Sequence, residues 1–483
     1  MKKITNFLRK PTVNEKFKIP LSTKIKFSIG GIGFNLSAGL FAAWLSNFYI
    51  KIVKIDFFLW GLAWILYIVW NAINDPLMGY FGDQTRTRFG RRMPWLMIAT
   101  PFISISFIFL FFPPLSNSTN PIMQWIYFIW LFLWLLLYDT FYTIIGITQK
   151  SLVAELSILP EERANTTFFW SLGTLVGQVI TFIVPFLFII NEDPYSQNLS
   201  TIQTIVIISG IIGTLLLTFM SFGIKERKEF IFAEKKKMGF IESIKLTLKN
   251  KSFIIYTMFS FTLVYINFAI YSQVSLFVQD VLRISLNNFL SSLPIIIFVG
   301  ASLLGYPLGM VFNRKYGGKK AIIYLSTLVI SGLVLLTFAP EVVTSNIALL
   351  IVGLSYAGMM LIAPILMADI IDKDELKTGY RREGAYYGST NLFTKPAQSV
   401  AAALTALILF LTGYDQSTVI QTELAKFGIK LNIGLIPAIF ITIGIIILLK
   451  FPIDASTEKY KNWKKRIEEL HNKKIKEYKA SLG

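Results

Sequence analysis

The sequence predicts an all-α polytopic membrane protein with twelve transmembrane helices arranged as two six-helix bundles. Three observations lead there. Of its 483 residues 54% are hydrophobic and only 16% are charged, whereas a soluble chain of this size keeps about a quarter of its residues charged. Apolar segments long enough to span a bilayer, about 20 residues each, fall at 27–50, 57–82, 95–113, 122–150, 164–190, 201–224, 252–279, 289–312, 320–339, 344–370, 385–412 and 431–452. The charge, +19 net from 47 Lys+Arg against 28 Asp+Glu, sits in short segments between these runs. That is the distribution of loops between membrane spans, and it argues against a nucleic-acid surface.

Taken in order, residues 1–26 (MKKITNFLRKPTVNEKFKIPLSTKIK) form a polar, basic N-terminus. The apolar segment after it exceeds a signal-peptide core, so it reads as a retained span. Residues 27–224 supply the first six spans. Their second and third are joined by the basic DQTRTRFGRR, while PPLSNSTNPIM and NEDPYSQNLS, on the alternate side, carry no Lys or Arg. Residues 225–251, rich in Lys and Glu, form a linker. Residues 252–452 supply the other six spans, with NRKYGGKK and KDELKTGYRRE as basic connections, and 453–483 form a basic tail. The excess of Lys and Arg on one side places both termini in the cytoplasm of a cell with this chain in its plasma membrane. In the tail, Trp463, Ile467 and Leu470 recur at i, i+4 and i+7 amid lysines, which predicts a helix lying on the membrane surface. The sequons at Asn117 and Asn198 fall in predicted outer loops.

The halves echo each other. Gly79-Tyr80 followed by Arg88-Phe89-Gly90-Arg91-Arg92 recurs as Gly305-Tyr306 followed by Arg314-Lys315-Tyr316-Gly317-Gly318-Lys319-Lys320. Ala154-Glu155-Leu156 and Ala368-Asp369-Ile370 each end the fourth span of a half. Two six-helix bundles with a cytoplasmic linker resemble the major facilitator superfamily, in which substrate binds between the halves near the bilayer midplane.

Residue absences narrow the chemistry. There is no Cys, and the only His is His471 in the tail, which excludes disulfides, thiolate metal sites and imidazole catalysis in the membrane region. No ATP-binding loop, H-E-x-x-H or G-x-S-x-G is present. The expectation is a non-enzymatic, cofactor-free protein whose work is driven by an ion or solute gradient.

The polar residues inside the spans then carry the functional reading. Asn71, Asn74 and Asp75 lie on one face of the second span. A charge there costs about 2.5–3.5 kcal/mol on insertion scales, so the face looks into a bundle. Pro76 frees the carbonyl of Ala72 beside it. This set suits a proton or a hard cation such as Na+; mere helix–helix hydrogen bonding is the plainer alternative. Lys395, on the eleventh span, lies at a depth similar to that of Asp75 and is its expected partner, with snorkelling as the alternative. Asp139, among Tyr138, Thr140, Tyr142 and Thr143, suits either a hydroxylated ligand or internal satisfaction by those hydroxyls. Asn35, Gln273 and Asn391 are further candidates for substrate contact or helix–helix bonding, and Trp170 and Tyr265 for stacking on a sugar face. Gly79, Asp83, Arg88, Arg91 and Arg92 lie where charges meet headgroups, helix ends and one another. Asp369, beside Asp372 and Asp374, reads as a member of a charge network.

Asn74-Asp75-Pro76-Leu77-Met78-Gly79 with Thr85-Arg86-Thr87-Arg88-Phe89-Gly90-Arg91 resembles the signature of the glycoside–pentoside–hexuronide:cation symporters, the melibiose-permease-like branch of the superfamily. Ala368-Asp369-Ile370-Ile371-Asp372, then Arg381-Arg382-Glu383-Gly384 and Lys395, resembles its second signature. The resemblance implies a cation-coupled symporter of a sugar or glycoside acting as a monomer by alternating access. Asp75 would be its cation-binding aspartate with Asn74 beside it, Lys395 the linked lysine, and Tyr142 and Thr143 would lie near sugar and cation. Gly79-x-x-x-Asp83 with Arg88, Arg91 and Arg92 resembles the cytoplasmic loop motif of the major facilitator superfamily, which implies a conformational latch. Asn71, Gly146, Ser171 and Phe34-Asn35 depart from the permease pattern at charged positions. Gly90-Arg91-Arg92-Met93-Pro94-Trp95 also resembles the sodium-dependent lysophospholipid symporters, so a lysophospholipid is the alternative substrate. A transport-inactive receptor or scaffold is the third reading, which buried Asp75 and Lys395 disfavour.

Overall fold

The computed structural model describes residues 18–114, 120–157, 159–189, 199–224, 226, 239–284, 293–338, 341–415, 420–455 and 457–480. The sequon residues Asn117 and Asn198, and residues 225 and 227–238 of the linker, lie outside them. The helices are α1 (Leu21–Asn47), α2 (Phe57–Gln84), α3 (Met93–Leu110), α4 (Pro121–Leu156), α5 (Pro160–Ile189), α6 (Leu199–Gly223), α7 (Phe240–Lys249), α8 (Lys251–Leu276), α9 (Leu293–Tyr316), α10 (Gly318–Phe338), α11 (Val342–Thr378), α12 (Glu383–Thr394), α13 (Pro396–Leu411), α14 (Glu423–Lys430), α15 (Ile436–Leu449) and α16 (Glu458–Ala480). Short π-helical segments extend α1 and α8 and join α14 to α15. Among the described residues nine helices are long and apolar enough to cross a bilayer, with α12–α13 and α14–α15 each counted as one. The other three predicted spans correspond to α1, α2 and α5, of 27, 28 and 30 residues.

Local chemistry sets several of these ends. The Asp56 carboxylate accepts from Phe58 N at 2.8 Å and starts α2, and Asn120 does the same for α4 ahead of Pro121. Two boundaries differ from the hydropathy reading. At 36 and 37 residues, α4 and α11 run well past the predicted ends at 150 and 370. Apolar runs stop where charges begin, but a helix continues as long as its charges find partners, as those of Glu155, Asp372 and Glu375 do below. The predicted eleventh span is present as one long element, divided at Lys395 into α12 and α13 while the Lys395 backbone stays right-handed helical. Pro396 follows immediately and has no N–H to donate.

Each half has its own core. In the first half α1 packs on α5 and α6, α3 on α4 and α6, and α2 on α4, around Phe48, Phe107, Tyr127 and Leu131. In the second half α11 packs on α9 and α10, and α8 on α15, around Phe259, Ile322, Leu349 and Val352. Large apolar side chains such as Phe58, Phe222, Leu304 and Phe410 point outward, the inverse of a soluble surface and consistent with lipid contact. The chain is a multi-pass helical membrane protein.

The halves meet where α2 lies along α12. A Cβ on Gly79 would collide with the carbonyl of Gly384, one on Gly384 with that of Gly79, and one on Gly388 with that of Asp75. Backbone cannot yield as a flexible side chain does, so these glycines set how closely the halves approach. Gly79→Val is expected to wedge α2 from α12 and separate the halves at their basic face. The chain contains no native Cys, so spin labels can be placed uniquely at Phe89 and Lys315, both exposed. The label distance should lengthen by several ångströms; an unchanged distance distribution would contradict the close-approach role.

Candidate functional site

Two layers of charge lie between the halves. The deeper is built on Lys395, at the break between α12 and α13. Its ammonium is 2.8 Å from Asp75 Oδ2 and 3.3 Å from Asp139 Oδ1, and it donates to Asn71 Oδ1. Asp75 and Asp139 are fully buried, while the lysine side chain keeps 29% exposure, so the cluster is sealed on one side only. The Thr143 hydroxyl donates to Asp75 Oδ1 at 2.6 Å, the Tyr67 hydroxyl to Asp139 Oδ1 at 2.9 Å and the Asn74 amide to Asp139 Oδ2 at 3.0 Å. Asn74 Oδ1 is buried with no hydrogen-bond donor among the described residues. An orphaned acceptor beside two carboxylates is what a proton or a small hard cation would satisfy. Among the described residues no three His, Cys, Asp or Glu side chains are grouped to hold a metal, so any ion here would use carboxylate and amide oxygens together.

This layer brings Asn71, Asn74, Asp75, Asp139, Thr143 and Lys395 together. Asp139, expected at a ligand or in a purely structural role, spends its bonds on Tyr67, Asn74 and Lys395 and belongs to the ion-pair cluster. Tyr142 stacks on Phe34 at 4.7 Å beside it. Tyr67 was not singled out from sequence, although it sits one turn before Asn71 on the same face.

The side chains of the remaining candidates make no hydrogen bond to the cluster among the described residues. Asn35 donates to the Gly31 carbonyl of its own helix at 3.3 Å and packs against α5 near Gly177. The Trp170 indole donates to Gln149 at 3.1 Å. Tyr265, read as a face for stacking a sugar, is buried with its ring stacked on Phe440 at 4.0 Å. In a chain this aromatic, core packing claims such rings first. Gln273 is buried, with its amide 3.4 Å from Ser272 Oγ. Asn391 is half-buried on α12, one turn before Lys395.

The second layer closes the basic face. Asp83 on α2 accepts the N–H groups of Gly384 and Ala385 at the start of α12, at 2.9 and 2.7 Å, and pairs with Arg92. Arg91 bridges Glu155 of its own half at 2.5 Å and Glu383 of the other at 2.6 Å, and Arg92 reaches Glu155 at 3.0 Å. Arg163 on α5 grips Asp372 on α11 at 2.8 Å. Arg91 and Arg92 are therefore buried between protein surfaces, 3% and 1% exposed, where headgroup contact had been one expectation. Arg88 is exposed over the Phe89 ring and takes no part in this layer. Glu226, from the linker, accepts the N–H groups of Arg91, Arg92 and Met93, each at 2.6 Å, filling the anion site of the α3 N-terminus. Gly90, at φ +119°, lies where a Cβ would strike that carboxylate.

The tail does more than lie on a surface. Helix α16 buries Ile467 and His471 completely and docks on the extended end of α11. Lys464 pairs with Asp369 at 2.7 Å and Asp372 at 3.0 Å, Lys474 with Glu375 at 2.6 Å, and His471 Nε2 lies 3.0 Å from Glu375. Arg381 joins the same group through Asp372 and Glu375.

A membrane transporter with the major facilitator fold is the class that this two-bundle architecture defines. Residues 26–455 match the family model described as MFS/sugar transport protein, and the chain belongs to that family. It is 24% identical to the sodium-dependent lysophosphatidylcholine symporter 1 of Xenopus tropicalis, over 94% of this chain and 91% of that one. It is 27% identical to a sphingosine-1-phosphate transporter of the same organism, over 92% and 90%, and 23% identical to the isoprimeverose transporter of Lactiplantibacillus pentosus, over 92% and 91%. Among solved structures a proton:xylose symporter superposes with a TM-score of 0.66 at 15% identity, covering 90% of this chain and 96% of its own. The E. coli fucose:proton symporter gives 0.62 at 13%, covering 90% and 98%.

Two outcomes follow from these layers. Arg92→Ala should lower transport rate more than equilibrium substrate affinity, because Arg92 holds the closed basic face and lies far from the deeper cluster. Paired uptake and binding measurements check this, and a weakened affinity at unchanged rate would contradict it. Truncation after Thr457 should lower the thermal midpoint and slow uptake, since it strips Lys464 and Lys474 from buried carboxylates, and removing one partner of such a pair costs about 3–5 kcal/mol. Burial holds the His471 pKa below its ordinary value against the opposing pull of Glu375, with Arg381 also nearby. The docked tail thus binds fewer protons than the free tail. Docking should be strongest above about pH 6.5 and weaken as pH falls below it, read as faster hydrogen exchange in 458–480.

Proposed function

We propose that this chain is a cation-coupled symporter that works by alternating access, in the plasma membrane, with its basic face and both termini in the cytoplasm. The observation that carries the proposal is the Lys395 ion pair with Asp75 and Asp139, which joins α2 and α4 of one half to the α12–α13 break of the other. A proton or Na+ at Asp75, with Asn74 Oδ1 as a further oxygen, competes with Lys395 for the same carboxylate. Ion occupancy thereby changes the contact between halves. Because a ligand shifts an equilibrium only through differential affinity for its states, a charge shared across the moving interface is an effective place to couple an ion to the transition. The Asp83, Arg91, Arg92 and Arg163 pairs must open for the site to face the cytoplasm, which makes them the gate.

The family description and the isoprimeverose transporter support a sugar or glycoside as substrate. A lysophospholipid is the second reading. It is supported by the lysophosphatidylcholine and sphingosine-1-phosphate transporters among the relatives. The occupied bonds of Asp139 and the aromatic pairs Phe34–Tyr142 and Phe41–Tyr138 also suit a greasier ligand better than a ring of hydroxyls. Uptake by proteoliposomes from a panel of glycosides and lysolipids, under imposed Na+ or proton gradients, decides between them and identifies the ion. Asp75→Asn keeps the shape and removes the charge. It should fold, retain downhill exchange and lose gradient-driven accumulation at least tenfold. Accumulation at the wild-type level in this variant would move the coupling carboxylate to Asp139.

A further inference from the structure

Asp139, Thr143, Gly146 and Lys150 recur at i, i+4, i+7 and i+11 on α4, one stripe of a single helix. The first two belong to the deeper charged layer. Lys150 lies roughly 10 Å along the axis from Thr143 toward the basic face, near enough for the charges of Asp75 and Lys395 to act on it. Its side chain is half-buried between the fully buried Gln149 and Ser151. Among the described residues its ammonium makes no ion pair and no hydrogen bond. Hydropathy ends the predicted fourth span at this residue. The helix instead continues to Leu156, roughly 9 Å further, and that end is closed by Glu155, Arg91 and Arg92. Lys150 therefore lies more than one helical turn short of the helix end.

Gly146, one turn before Lys150, leaves room for at least a methyl group. A Cβ at Gly146 would meet one atom only, the Phe34 ring edge at 3.5 Å, so the stripe between the carboxylate cluster and Lys150 is not filled by α4 itself. Phe34 and Tyr142 stack alongside. Charge counting completes the argument. Asp75 and Asp139 against Lys395 and Lys150 are neutral together, and a coupling cation or proton leaves one positive charge in excess in a low-dielectric interior, where an uncompensated charge is costly.

We infer that Lys150 receives an anionic group of the substrate, which supplies the missing negative charge when the ion is bound. The inference rests on the symport reading for its placement of substrate between the halves. It adds that the substrate is an anion in its head region, either the phosphate of a lysolipid or the carboxylate of a uronide, with the rest of the molecule along Gly146, Phe34 and Tyr142.

Equilibrium binding to purified protein, without any ion gradient, tests this with two matched pairs. One is lysophosphatidylglycerol against the monoacylglycerol of the same chain; the other is phenyl glucuronide against phenyl glucoside. The wild type should prefer the anionic member of one pair by about tenfold or more, the scale of a charge-assisted hydrogen bond, and that pair names the anion's source. Lys150→Gln should reduce the preference to within about twofold, and Lys150→Arg should retain most of it, which separates charge from folding. Equal binding of both members in both pairs, or an anion preference undiminished in Lys150→Gln, overturns the inference. Gradient-driven accumulation in Asp75→Asn is a separate readout, so a failure of ion coupling and a failure of anion recognition are told apart.

Discussion

The pairing of Lys395 with Asp75 and Asp139 is the constraint around which the other features of this protein are arranged. Moving an ammonium and two carboxylates out of water costs several kcal/mol for each ion, and only close opposite charges with further hydrogen bonds offset it. That requirement explains why Asn71, Asn74, Tyr67 and Thr143 all turn toward one point. It also explains why α12 and α13 break where they do. Pro396 leaves the ladder one donor short, and the discontinuity sits where Lys395 reaches across to the other half. Partners drawn from α2, α4 and the α12–α13 junction mean that no single bundle satisfies these charges alone. Separation of the halves and compensation of the cluster are thus one problem.

The basic face solves a similar problem with opposite emphasis. Here many ion pairs are packed with the glycine contacts of α2 on α12, and Asp83 accepts two backbone N–H groups at a helix start. Such an arrangement is discrete: helices at glycine-set distance either touch or part, which favours two defined states over a continuum. The linker and the tail are recruited to the same layer, Glu226 at the α3 N-terminus and α16 against the acidic end of α11. Segments outside the membrane therefore bear on whether the halves are closed. The single histidine of the chain sits in that contact.

The position of Lys150 joins the two layers. It shares a stripe with Asp139 and Thr143, yet lies toward the basic face, one turn beyond Gly146. Lys150 has no ion pair or hydrogen bond among the described residues, which leaves it available to the anionic ligand proposed above, whereas Asp139 is bonded to Tyr67, Asn74 and Lys395.

Much of this was legible in the sequence. A bilayer demands about 20 apolar residues per span and penalises lone charges, so candidate spans and the expectation that Asp75 and Lys395 need partners follow from one-dimensional pattern and solvent alone. The pairing of glycine-rich and arginine-rich segments in two echoing halves follows in the same way. Helix ends at Leu156 and Thr378 did not, because hydropathy records where lipid ends and not where a helix's charges find partners. Nor did the roles of Asp139, Tyr265, Arg88 and the tail. Each depends on which helix lies opposite: Asp139 meets Lys395 from more than 250 residues away, Tyr265 meets Phe440, and His471 meets Glu375. The sequence by itself determined the solvent of each segment and which buried charges needed compensation. Only the tertiary structure decided which charge compensates which, because that choice is made by distance across packed helices and not by spacing along the chain.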